Sequence, residues 1–206
     1  MSHAFLDIAF TPAVKACQIE HGSRAGYARM EEGPARNDRL GPDERDFIAV
    51  RDSLYMATVS ETGWPYIQHR GGPEGFIKVL DDKTLAFADF RGNRQYVTVG
   101  NLKGDDRVSL FLMDYPNRTR LKLLGRAETR DLAADPELAA ALALPGYQGR
   151  PERAIVIHVE GFDWNCPQHI TARYTAEQVR DAVKPLHDHI AALEAALAEA
   201  GVKVPG

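Results

Sequence analysis

Arginine and lysine residues sit beside apolar segments at several points of this chain, in places that suit the capture of a phosphate-bearing anion. Arg91 and Arg94 follow the apolar run Thr84–Phe90, with Gly92 turning the chain between them. Asn93 is a natural helix N-cap. Tyr96, Val99 and Leu102 then recur every three residues, the spacing of one buried helical face. A helix that starts here aims free N–H groups and the positive end of its dipole at an anion. A guanidinium adds paired hydrogen bonds to phosphate oxygens. The run Val97-Thr98-Val99 is a poor helix former and opposes this reading. Three further cations weigh the other way: Arg70 ends one strand, Lys78 lies within the next, and Arg120 lies in a later one. In half-buried strands such cations either face solvent or line one shared pocket.

Other chemistries find less support. Arg70-Gly71-Gly72-Pro73-Glu74-Gly75 lacks the spacing and the Lys-Ser/Thr of a phosphate-binding P-loop, so it reads as a bent turn. Cys166 and His169 are too few for a zinc site, and His187 and His189 project about 200° apart on a helix. No metal is expected. No Gly-x-Ser-x-Gly elbow supports an esterase. A net charge of −4, with both signs well mixed, argues against a nucleic-acid partner.

The elements that position these residues follow from periodicity. Ser53–Ser60 and Pro65–Arg70 read as strands joined by Glu61-Thr62-Gly63-Trp64. Phe76–Leu80 and Thr84–Phe90 form a hairpin, as do Arg107–Met113 and Arg118–Glu128, and Ala154–Phe162 is the last clear strand. Six or seven strands with mostly short turns predict a mainly β fold with flanking helices, an antiparallel barrel and not a βαβ sheet. The chain of 206 residues, 44% of them hydrophobic, is expected to be a single domain with an N-terminal helical extension over about 1–52. Thr11-Pro12 opens a helix to Glu20, Gly22–Gly41 reads as a connecting loop, and a short helix from Pro42 turns Phe47, Ile48 and Val50 to the core. Asp135–Ala143 is a further helix. A C-terminal helix over about 175–201 carries Val179, Val183, Leu186, Ile190, Leu193 and Leu197 at spacings of four and three. That seam is expected on the barrel of its own chain, with a partner subunit the alternative, and Pro185 predicts a kink or two abutting helices. Cys17 and Cys166 are expected to be reduced, and neither a signal peptide nor a membrane-spanning run is visible, so a cytoplasmic protein is expected.

From Ser53 to about Gln168 the chain resembles the pyridoxamine 5′-phosphate oxidase-like family of split barrels that bind flavin mononucleotide (FMN). The likeness is carried by Pro65, Arg70 and Lys78, by Phe87-Ala88-Asp89 followed by Asn93-Arg94-Gln95, by Arg120 and Gly125-Arg126-Ala127-Glu128, and by Trp164. It implies an FMN-binding split barrel in which Lys78 and the segment after Phe90 hold the ribityl phosphate. Phe87, Ala88 and Asp89 fall beside the isoalloxazine. Asn93, Arg94 and Gln95 stand where the family usually has Ser-Arg-Lys, and Arg120 stands where glutamine is common, restoring the charge that Gln95 removes. The resemblance also implies a homodimer whose flavin sites lie at the subunit interface, with Trp164 and Gln168 coming from the second chain.

The chain departs from true pyridoxamine phosphate oxidases where their substrate phosphate binds. Leu144-Pro145-Gly146-Tyr147-Gln148-Gly149-Arg150 replaces their serine- and arginine-rich segment, and Trp164-Asn165-Cys166-Pro167-Gln168-His169 lacks their Arg-x-His. Two function classes follow: an FMN-dependent oxidoreductase acting on an unidentified small molecule, or a binding or sensing module that holds flavin, heme or a deazaflavin without turnover.

Overall fold

The computed structural model describes residues 3–164 and 167–202, which leaves Cys166 outside the described residues. In β1 (Ser53–Val59) buried and half-buried residues alternate without a break, as in a strand with one face in a core. It returns as β2 (Pro65–Gly71), with Val59 opposite Pro65 and Ser53 opposite Gly71. β3 (Ile77–Val79) and β4 (Thr84–Phe90) pair next, then β5 (Arg107–Asp114) and β6 (Thr119–Arg130), and β7 (Pro151–Trp164) is the last strand. All seven join one antiparallel sheet in the order β2-β1-β5-β6-β7-β4-β3.

The sheet curls on itself. Leu54 and Met56 near one edge share a cluster with Leu110 and Leu121 in the middle and with Phe87 and Ile77 near the other edge. Burial of such side chains, worth about 1.5–3 kcal/mol each, holds the curl closed. This is the antiparallel barrel that the strand pattern predicts, in the split form that the family resemblance implies. β4 and β7 are covered on their second face too, because α6 (Pro136–Ala141) lays Leu138 and Leu142 on Ala86, Ala88, Ala154 and Val156.

Four helices precede the barrel: α1 (Ala4–Ala9), α2 (Pro12–Glu20), α3 (Arg24–Met30) and α4 (Pro42–Ala49). α2 starts at the predicted cap, where the Thr11 hydroxyl accepts the Val14 N–H at 3.4 Å. α1 lies directly on β7: a Cβ on Gly161 would stand 2.6 Å from the Phe5 nitrogen, so only glycine admits the contact.

Three sequence expectations require correction. The segment Gly22–Gly41 is not all loop, because α3 forms within it. Glu31 takes ion pairs from Arg24 and from Lys15 of α2 (2.7 Å), and Tyr27 meets Phe10 edge-on, so tertiary contacts supply what local periodicity lacks. Val50 does not face the core: α4 ends at Ala49 and Val50 is 50% exposed. The C-terminal seam does not pack on its own barrel. α7 (Ala176–Glu199) is one helix through Pro185, opened by reciprocal Thr175–Gln178 hydrogen bonds, and it buries none of its residues. Among the described residues, no helix is long and apolar enough to cross a membrane.

Candidate functional site

β2 and β3 are the edges of the sheet, but β3 pairs with β4 only as far as Phe87, so Ala88–Phe90 of β4 have no β3 partner. Arg70 of β2 reaches Asp89 there, and this opening is the mouth of the barrel. Gln68 and Arg70, two residues apart on β2, share the face that points inward, opposite Met56 and Leu54 of β1. Asp89 on β4 is buried and takes the Arg70 guanidinium at 2.5 Å. Arg153 of β7, its register partner, stands 3.7 Å from the other carboxylate oxygen. The Arg70 Nε is buried and meets no acceptor among the described residues.

α5 (Val97–Asn101) lies against the mouth, and it is shorter than expected. Asn93 is not its N-cap. Its Oδ1 instead accepts the Gln95 N–H at 3.1 Å, closing a turn, and Tyr96 occupies the cap position. Arg94 (φ 63°) and Tyr96 (φ 54°) are both left-handed, a conformation that costs a side-chain-bearing residue about 1–2 kcal/mol. The β-branched run Val97-Thr98-Val99 supports only a single turn of helix. Of the predicted buried face Tyr96, Val99 and Leu102, only Leu102 packs against the core, half-buried. Thr98 and Asn101 are buried instead, because the Thr98 hydroxyl donates to Gln68 Oε1 and Asn101 Nδ2 donates to Thr58 Oγ1, each at 2.9 Å. Tyr96 is 40% exposed.

These elements enclose a cavity of about 200 Å³ lined by Gln68, Arg70, Asp89, Arg94, Tyr96 and Glu152 among others. Arg94 Nε donates to the Tyr96 hydroxyl and that hydroxyl donates to Glu152, each at 3.3 Å. The bond to Tyr96 and the nearby carboxylate of Glu152 hold the Arg94 pKa above its ordinary value. Arg70 and Arg94 line the cavity together with Asp89 and Glu152, and Arg91 and Arg153 pair with those carboxylates from outside the lining, so among the described residues the wider cluster has two positive charges in excess. Such a site favours an anion.

The structure brings together Arg70, Asp89, Asn93 and Arg94 of the sequence-predicted residues. Gln95 is exposed at the end of the same loop. Phe87 and Ala88 flank the site, but their side chains are spent on packing, Phe87 edge-on to Phe76 and Ala88 under α6. Lys78 pairs in register with Ala86, whose side chain belongs to the α6 layer, and it does not line the cavity. Arg120 lies on the outer face of the sheet, 5.3 Å from the centre of the Phe111 ring. There it lines a separate cavity of about 520 Å³ with Tyr55, Ile67, His169 and Arg173. Trp164, at the end of β7, donates to Glu44 at 2.8 Å and meets Phe47 edge-on, while Gln168 is exposed. One chain therefore splits the predicted set between the mouth, the outer face and the α4 side. Gln68, Thr98, Glu152 and Arg153 went unpredicted. Period two from Arg70 points to Gln68, but no local pattern announces a β4–β7 register.

A family model described as pyridoxamine 5′-phosphate oxidase matches residues 40–162, more than half of the chain. The chain belongs to this family. Among solved structures it is similar to HupZ from Group A Streptococcus, at 18% identity over 66% of this chain and 99% of that one, with a TM-score of 0.47. It is similar to a Clostridium acetobutylicum protein related to general stress protein 26, at 18% identity over 66% and 94% of the two chains, with a TM-score of 0.42. An F420 reductase matches at 19% identity over 60% of this chain and 98% of that one, with a TM-score of 0.41. Comparison with curated proteins gave no match.

Proposed function

We propose that the chain binds FMN and acts as a flavin-dependent oxidoreductase on a small molecule other than pyridoxamine phosphate. The observation that carries this reading is the left-handed arginine loop over a cavity whose arginine cluster, with Arg91 and Arg153 behind its lining, has two positive charges in excess. Backbone strain of this kind persists where a site needs it. Membership of the pyridoxamine 5′-phosphate oxidase family supports the same reading.

The donor set fits the phosphate end of FMN. Arg94 and Arg70, with its buried and unpartnered Nε, would hold the phosphate, and Gln68 offers an amide to the ribityl hydroxyls. When bound, FMN supplies electron transfer at its isoalloxazine ring. A cavity of about 200 Å³ is smaller than the roughly 300–1,000 Å³ that encloses a ligand of this size, so it takes one end of the molecule. A second subunit covering the ring resolves the mismatch. The exposed outer face of β1, β2 and β5, with Ile67 at 63% exposure beside Ala57, Phe111 and Met113, supports such a homodimer. In that dimer Arg120, Trp164 and Gln168 are the candidates to complete a partner's site.

The test is titration of the purified protein with FMN, followed by flavin fluorescence and by the visible spectrum after removal of excess. Retained flavin bands that bleach with a nicotinamide donor and recover in air are the expected result. A colourless protein after saturating FMN overturns the reading. A yellow protein that no donor reduces reassigns it to flavin binding without turnover.

A further inference from the structure

The apolar seam of α7 is uncovered: Leu186 is 62% exposed and Ile190 51%. The helix root approaches the barrel where the Arg173 guanidinium lies 4.8 Å from the centre of the Tyr115 ring. A lone amphipathic helix gains little from its own backbone, so the seam calls for a partner surface.

The pattern specifies that surface. Steps of four and three place Val183, Ile190 and Leu197 at heptad positions a, and Val179, Leu186 and Leu193 at d. β-branched Val183 and Ile190 at a, with Leu186 and Leu193 at d, are the combination that favours two parallel strands. Lys184 and Asp188 fall at the outward b and f positions, where they pair with each other at 2.8 Å. Pro185 falls at c, so neither its ring nor its missing N–H meets the seam. The flanking positions suit a second copy. In a parallel pair, g faces the following e of the other helix, which sets His189 against Glu194 of the partner subunit and Ala182 against His187 of the partner subunit. No like charges then stand opposite each other.

We propose that α7 pairs with α7 of a second copy as a parallel, in-register two-stranded coiled coil. The pairing extends the dimer put forward above and rests on the heptad pattern, not on flavin binding.

In-register helices place each a and d residue opposite its own counterpart, so a single cysteine can link two chains. The experiment uses the full chain with Cys17→Ser and Cys166→Ser, adding Leu186→Cys, Ile190→Cys or the outward control Lys184→Cys, under mild oxidation without denaturant. Non-reducing electrophoresis is expected to show most of the Leu186→Cys and Ile190→Cys protein as covalent dimer, with Lys184→Cys mainly unlinked. Equal linking of all three, or linking only when the 186 and 190 variants are mixed, overturns the proposal, the second result because it reports antiparallel helices. FMN titration of the same variants separates the two readings. Absent linking with normal flavin binding sinks the coiled coil alone, and linking without flavin binding sinks the flavin site alone.

Discussion

Arg70 on β2 and Asp89 on β4 form an ion pair of 2.5 Å between strands that share no backbone hydrogen bond. The pair closes the split of the barrel with side chains where the sheet has none of its ladder. Asp89 is the buried member, with its side chain 7% exposed against 13% for Arg70.

Asp89→Ala is expected to leave Arg70 and Arg153 without their shared carboxylate. Loss of one partner from a fully buried pair costs about 3–5 kcal/mol. Water reaches part of Arg70, so a loss of about 2–3 kcal/mol is expected here. Urea unfolding reads it as a lower midpoint at unchanged slope. A change below about 0.5 kcal/mol, the usual scatter of surface substitutions, would show that the pair closes nothing.

At Arg94, stability and binding pull in opposite directions. Glycine adopts the left-handed backbone (φ 63°) without the steric cost that arginine meets. Arg94→Gly is therefore expected to raise unfolding stability by up to about 1 kcal/mol, since glycine's greater chain entropy offsets part of the relief. The same change removes a charge-assisted bond to phosphate, weakening FMN by about 10- to 100-fold in a fluorescence titration. Unchanged FMN affinity would remove Arg94 from the phosphate site.

The buried bond between Asn101 and Thr58 anchors α5 to β1. Asn101→Ala leaves the Thr58 hydroxyl buried with its partner gone, at a cost of about 1–3 kcal/mol. Thr58→Val strands the Asn101 amide at a similar cost. The double variant removes both polar groups, so it is expected to lose clearly less than the sum of the two singles. Additive losses would mean that the two groups do not depend on each other.

The hairpins were legible from turn residues between apolar runs, and from period two in strands with one covered face, as in Ser53–Val59 before Glu61–Trp64, whereas β4, covered on both faces, reads as a continuous apolar run. Arg94 was legible by residue type and by its place after β4. Glu152 and Arg153 were not, because they join the site through the pairing of β4 with β7, some sixty residues away in the chain. α3 was missed for a related reason, since Lys15 and Arg24 stabilise it through Glu31 and not through an apolar face. The α5 face misled because a polar pair, Thr98 and Asn101, is buried while Tyr96 is not. The α7 seam was legible as a pattern, but a pattern names a face and not what covers it.

The acid limit of stability is expected to depend on Asp114. Burial alone would raise the pKa of this carboxyl. The side-chain and backbone N–H groups of Asn117 and the charge of Arg51 outweigh burial and hold it below the ordinary value of 3.8. Asn117 N and Nδ2 donate at 3.1 and 3.0 Å, and Arg51 Nη2 donates at 3.1 Å. Arg51 also donates to the carbonyls of Phe47 and Met113, so the carboxylate fixes a clamp between α4 and β5. Because the folded pKa is depressed, the unfolded chain binds the proton first as pH falls. The contribution is thus fully present above about pH 4 and is lost as pH falls through the folded pKa. Asp114→Asn removes the charge and is expected to lower stability by about 1.5–3 kcal/mol at pH 7. Its stability should then change less than that of the parent chain as pH falls below about 4, so the two unfolding curves converge in acid. Parallel curves across that window would mean that Asp114 carries no proton linkage and that the clamp holds by packing alone.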